Sequence, residues 1–93
     1  MLEKAIEQRL TDEIKRIGGR SYKWESPGNN GVPDRIVILP KGRIYFIELK
    51  KPRNGRTAAL QKLQHARLKE LGTDVRLIKN LEQVEEFIKE VQP

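Results

Sequence analysis

Apolar residues at Leu2, Ile6, Leu10, Ile14 and Ile17 recur three or four positions apart and give way to Gly18-Gly19. That is the period of one helix face followed by a breaker, so it predicts an amphipathic helix over 2–17. The pattern then changes. Ser21 to Trp24 reads as a short strand, and Ser26-Pro27-Gly28-Asn29-Asn30-Gly31 is too rich in turn formers for regular structure. The runs Arg35–Leu39 and Arg43–Leu49 are dense in β-branched and aromatic residues, with Pro40-Lys41-Gly42 between them, which predicts an antiparallel hairpin.

Thr57 is a suitable N-cap for a helix over 58–71 that ends at Gly72, and Val75 to Ile78 reads as a strand. Helical spacing returns at Leu81, Val84, Ile88 and Val91, with Phe87 alongside. The expected order is α-β-β-β-α-β-α, with no repeat, linker or low-complexity segment. At 93 residues the chain is expected to be one domain over 1–93 with a single modest core, so any site must share the elements that build that core.

Composition narrows the chemistry. Zero cysteines and one histidine exclude a disulfide framework, a thiolate zinc site and a histidine-rich metal site, which leaves oxygen ligands for any bound metal. No apolar run approaches the roughly 18 residues of a membrane span, and the first residues have no signal-peptide pattern, so the expected setting is soluble, cytoplasmic or otherwise intracellular, with no membrane partner. A net charge of +6 suits a polyanionic partner, because Lys and Arg neutralise phosphates and release their counterions.

The hairpin is where chemistry concentrates. A symmetric turn pairs Leu39 with Arg43, and the same register sets Asp34 opposite Glu48. Directly opposed side chains have Cβ atoms about 4.5–5.5 Å apart. Two carboxylates at that distance repel unless a cation lies between them, and hard divalent cations favour such oxygen ligands. Asp34 and Glu48 are therefore the expected ligands of Mg²⁺ or Mn²⁺, with the backbone carbonyl of Leu49 expected to join them. Strand alternation puts Ile44, Phe46, Glu48 and Lys50 on one face, so the Lys50 ammonium stands beside Glu48, able to orient a water or offset charge on a reacting phosphate.

Taken in order, Ile6-Glu7, Ser26-Pro27-Gly28, Gly31-Val32-Pro33-Asp34-Arg35, Phe46-Ile47-Glu48-Leu49-Lys50 and Gln61 resemble the virus-type replication-repair nuclease family (VRR-NUC), a branch of the PD-(D/E)xK nuclease superfamily. The resemblance covers nearly the whole chain. It implies an α/β PD-(D/E)xK nuclease fold, with a mixed central sheet flanked by helices. It also implies a metal-dependent phosphodiesterase in which Asp34 and Glu48 hold the cation, Lys50 assists the attacking water, and Glu7 and Gln61 complete the site, Glu7 as a further candidate ligand. Stand-alone members resemble Holliday-junction resolvases, which implies a homodimer acting on branched DNA in a viral or bacterial replication or repair setting.

The residues alone leave alternatives open. Glu3 and Glu13 border the apolar stripe of the first helix as Glu7 does, and Gln64 rivals Gln61, lying between Leu60, Leu68 and Leu71 on the helical wheel. His65, opposite Leu63 and Leu71 on that wheel, is expected at the surface. Trp24 and Tyr22 are expected to pack a small core, with stacking on unpaired bases as the alternative. Lys23, Arg35, Lys51, Arg53 and Arg56 form the expected DNA-binding rim around an acidic centre. The helix over 81–91 is the candidate dimer interface. Two other functions fit the same residues: a non-catalytic nucleic-acid-binding module, and a nicking or restriction-like nuclease on unbranched DNA.

Overall fold

A computed structural model describes residues 2–49 and 55–92, with the side chains of residues 2 and 55–57 outside that description. Its elements are α1 (Leu2–Arg16), β1 (Arg20–Lys23), β2 (Arg35–Leu39), β3 (Arg43–Glu48), α2 (Gly55–Glu70), β4 (Asp74–Leu77) and α3 (Leu81–Val91). The order is the one expected. A single 3₁₀ turn at Pro40–Gly42 joins β2 to β3, with Lys41 at φ 70°.

The sheet runs β1-β2-β3-β4. The first three strands are antiparallel, and β4 lies parallel to β3 because α2 carries the chain across between them. Leu39 pairs with Arg43 and Arg35 with Ile47, the predicted hairpin register.

Alternation along the strands separates two faces. Val37, Leu39 and Ile47 face the core with Ile6, Leu10 and Ile14 of α1 and Val84, Phe87, Ile88 and Val91 of α3. Tyr45 meets Phe87 edge to face at 5.3 Å, a favourable arrangement of ring quadrupoles. The apolar stripe of α3 is therefore spent inside the fold, which corrects its candidacy as a dimer interface. On the opposite face Trp24 lies against Phe46, ring centroids 5.1 Å apart. Tyr22 does not join that packing and is 54% exposed, because its end of the face has no helix above it.

Helix ends follow local chemistry. Asn80 caps α3 by accepting from Gln83 N–H at 2.8 Å, which satisfies one orphan donor of the first turn, while Gln83 Oε1 accepts from Lys79 N–H, just before the cap, at 2.7 Å. At the end of α2, Gly72 N–H donates to Lys69 O and Thr73 N–H to Leu68 O, with Gly72 at φ +90°, the Schellman pattern in which glycine is the unstrained residue. Thr57 lies within α2, which begins at Gly55; it is not the cap expected from sequence.

Candidate active site

Asp34 immediately precedes β2 and Glu48 ends β3, so the register that pairs Arg35 with Ile47 carries the two carboxylates to adjacent positions. The backbone pins them there. Leu49 N–H donates to Asp34 Oδ2 at 2.8 Å, and Asp34 O accepts from Trp24 N–H at 2.7 Å. Glu48 O accepts from Ile78 N–H at 2.9 Å, which ties the end of β3 to the chain leaving β4. Glu48 is 2% exposed, an unusual state for a carboxylate and one that calls for compensating charge.

Over this pair lies α2. His65 Nε2 is 3.6 Å from Glu48 Oε1, and the histidine side chain is 17% exposed. Among the described residues Nε2 has no hydrogen-bond partner. Burial holds the His65 imidazole below its ordinary proton affinity, the Lys69 ammonium adds to this, and Asp34 opposes it. The surface position expected for His65 is thus corrected. That expectation took Leu63 and Leu71 as the buried side of α2, yet both are exposed, Leu71 at 80%, so the side opposite them faces the sheet. Gln61, one turn before His65, is half-buried and lies with it along a cavity beside α2. Gln64 is also half-buried.

Arg35 is another departure. Expected on the basic rim, it is 8% exposed and points to the α1 side. Its Nε donates to Ser21 Oγ at 3.1 Å, and Nη2 to Ser21 O at 3.0 Å and Thr11 Oγ1 at 3.3 Å. Glu7 Oε2 lies 3.5 Å from Arg35 Nη1. Glu7 is therefore linked to the residue beside Asp34, and among the described residues no three His, Asp or Glu side chains converge as a metal-holding group. The partner given to Glu7 here is thus Arg35, the residue next to Asp34. Of its two rivals, Glu13 pairs with Arg16 at 3.0 Å and Glu3 is exposed.

Lys23 is exposed and pairs with Glu25 at 3.3 Å. Lys50, Lys51 and Arg53 lie outside the described residues, and Arg56 falls in the first turn of α2 with its side chain outside the description.

No protein-family model matches the chain. A protein of Acyrthosiphon pisum secondary endosymbiont phage 1, under the provisional name nuclease p44, is 49% identical over 73 residues, covering 78% of this chain and 77% of its own length. A solved structure described as a VRR_NUC domain aligns with a TM-score of 0.85 at 30% identity, over 98% of each chain. The chain belongs to the VRR_NUC family. It is a member of a nuclease family, and the α/β architecture expected from the resemblance is the one observed.

In this VRR_NUC chain the donor set suits a hard divalent cation. Two carboxylates at adjacent positions of one hairpin, one of them almost wholly removed from water, repel each other, and a cation held between them offsets that repulsion.

Gly31 brings the loop before Asp34 into contact with α2. Its φ is +97°, and a Cβ there would fall 2.6 Å from Leu60 O and 2.8 Å from Gln61 N. Gly28, at φ +82°, has open space around the same added atom. We expect Gly31→Ala to destabilise by about 2–4 kcal/mol through backbone clash and left-handed strain together, and Gly28→Ala by about 1 kcal/mol through strain alone. Thermal melts of the two variants check this; equal shifts would mean that the loop does not seat on α2 as described.

Proposed function

We propose that this VRR_NUC protein is a metal-dependent endonuclease that hydrolyses phosphodiester bonds in DNA, with branched DNA such as a Holliday junction as its substrate. The observation that carries the reading is the pairing of Asp34 with a buried Glu48 at the mouth of the β2–β3 hairpin, Asp34 being held by Leu49 N–H. Asp34 and Glu48, with the Leu49 carbonyl, would hold Mg²⁺ or Mn²⁺. When bound, the cation supplies Lewis-acid polarisation of the scissile phosphate.

The chain's own residues do the rest. Asp34 and Glu48 would hold the cation, Lys50 would position the attacking water, and Gln61 would border the path by which substrate enters. Leu49 N–H holds the Asp34 carboxylate in one rotamer, so little reorganisation is needed when substrate arrives. Glu7 acts through Arg35, bracing the backbone next to Asp34. Lys51, Arg53 and Arg56 would supply the basic rim, with Lys23, which pairs with Glu25, at most a lesser part of it.

A homodimer fits the small size of the unit, since two-fold symmetry doubles the surface available to a junction. With α3 committed to the core, the open sheet face carrying Tyr22, Ile38 and Ile44, all exposed, supports this as the surface of association.

The test is cleavage of labelled four-way junction, flap and plain duplex DNA with Mg²⁺, Mn²⁺ or chelator, alongside the mass of the protein by light scattering. Metal-dependent cutting of the junction in preference to duplex, by a species of two chains, is the expected result. Equal cutting of all three substrates would remove the branched-DNA assignment, and tight binding without cutting under either metal would leave a binding module.

A further inference from the structure

One face of α2 is concave. Ala58, Gln61, Lys62, His65, Ala66 and Lys69 line a cavity of about 410 Å³. They fall at the spacing of a single helical face, the face a helix ordinarily packs, yet Lys62, Ala66 and Lys69 are exposed. The two alanines leave room and the two lysines border it. At its inner side the groove reaches the acidic centre, because His65 both lines it and lies 3.6 Å from Glu48.

Charge says what belongs there. Arg9, Arg16, Lys23, Arg35 and Arg76 are each matched by a carboxylate. Among the described residues Lys62 and Lys69 have no such partner, as is true also of Lys4, Lys15, Arg20, Lys41, Arg43, Arg67, Lys79 and Lys89; what distinguishes the two is their place on the groove that His65 joins to Glu48. A substrate phosphate must approach two carboxylates that repel it, so attraction has to come from cations close by. Lys62 and Lys69 are seven residues apart, about 10.5 Å along the helix, which matches the axial rise of about three nucleotides of one strand.

We propose that the α2 groove binds the sugar–phosphate backbone of the strand being cut, with Lys62 and Lys69 each against one phosphate and with Gln61 and His65 between them and the Asp34–Glu48 pair. This rests on the nuclease reading and extends it: the DNA-binding surface includes this face of α2, and the substrate class is a phosphodiester chain lying along that helix.

The test is the affinity of the wild-type protein for a fluorescein-labelled duplex oligonucleotide in EDTA, titrated at several NaCl concentrations between about 50 and 400 mM, the range over which counterion release is read. The Lys62→Ala/Lys69→Ala double variant should bind about tenfold more weakly, with the slope of log affinity against log salt shallower by about 1.8, two phosphate contacts' worth. Lys62→Arg/Lys69→Arg should restore both. Lys15→Ala/Lys89→Ala, which removes the same charge from exposed positions on α1 and α3, should leave the slope unchanged. If the two alanine pairs behave alike while the wild type binds, the groove proposal is overturned and the nuclease reading stands. A wild type that binds no DNA at the lowest salt and cuts none of the substrates overturns both.

Discussion

Glu48→Gln is expected to abolish metal-dependent cleavage, by roughly a thousandfold or more, while the thermal midpoint stays the same or rises. The side chain is 2% exposed and ends β3 beside Asp34. Glutamine has almost the same shape but no charge, so the hairpin register and the contact with His65 are kept. What goes is half of the negative charge proposed to hold a cation, and Lewis-acid stabilisation of a reacting phosphate is worth several kcal/mol, each 1.4 kcal/mol being about tenfold in rate. Stability moves the other way, since a buried carboxylate beside another carboxylate is destabilising in the metal-free protein. Cleavage assays, differential scanning calorimetry with and without Mn²⁺, and titration of Mn²⁺ by calorimetry read these effects separately. A Glu48→Gln protein that still cuts, or that binds Mn²⁺ as well as the wild type does, would remove the metal-centre argument.

The second large effect concerns Arg35. Its guanidinium ties β2 to β1 through Ser21 and to α1 through Thr11 and Glu7. Arg35→Ala leaves those acceptors without their donor and empties a buried slot. Breaking a fully buried pair costs about 3–5 kcal/mol; because Glu7 is half in solvent, about 2–4 kcal/mol is expected here. In a domain of this size that lowers the melting temperature by about 10–25 °C, a large share of a typical stability of about 5–15 kcal/mol. The salt dependence of DNA binding, measured well below the melting transition, should not change. An Arg35 on the DNA surface predicts the reverse, an unaltered melt and a shallower salt slope. Thermal melts and the salt titration together decide between a strut and a rim residue.

Much of the site could be read from local pattern. Whether Asp34 lies opposite Glu48 depends on a three-residue turn and on the two-residue period of a strand. Both are local properties, and the observed pairing of Leu39 with Arg43 follows them. The helices α1 and α3 were equally legible, because their apolar positions recur with the helical period and the core takes them up as written: Ile6, Leu10 and Ile14 from one, Val84, Phe87, Ile88 and Val91 from the other. The family motif added Gln61, which physics alone did not separate from Gln64.

What could not be read is which side of each element meets which neighbour. The leucines of α2 are scattered around the helix, so its wheel has no dominant apolar side, and nothing local marks Leu63 and Leu71 as the exposed ones. Charge alone suggests a surface place for Arg35, whereas its partners Ser21, Thr11 and Glu7 come from a strand and a helix that the sequence does not bring beside it. The order of elements and the hairpin register that leads to Asp34 and Glu48 follow from the residues alone, since turn chemistry and side-chain period act over a few residues. That His65 lies close to Glu48, that Arg35 is internal and that Lys62 and Lys69 flank a groove emerges in the folded chain alone. Those outcomes depend on how α2 and α1 dock on opposite faces of the sheet, and docking is governed by long-range packing.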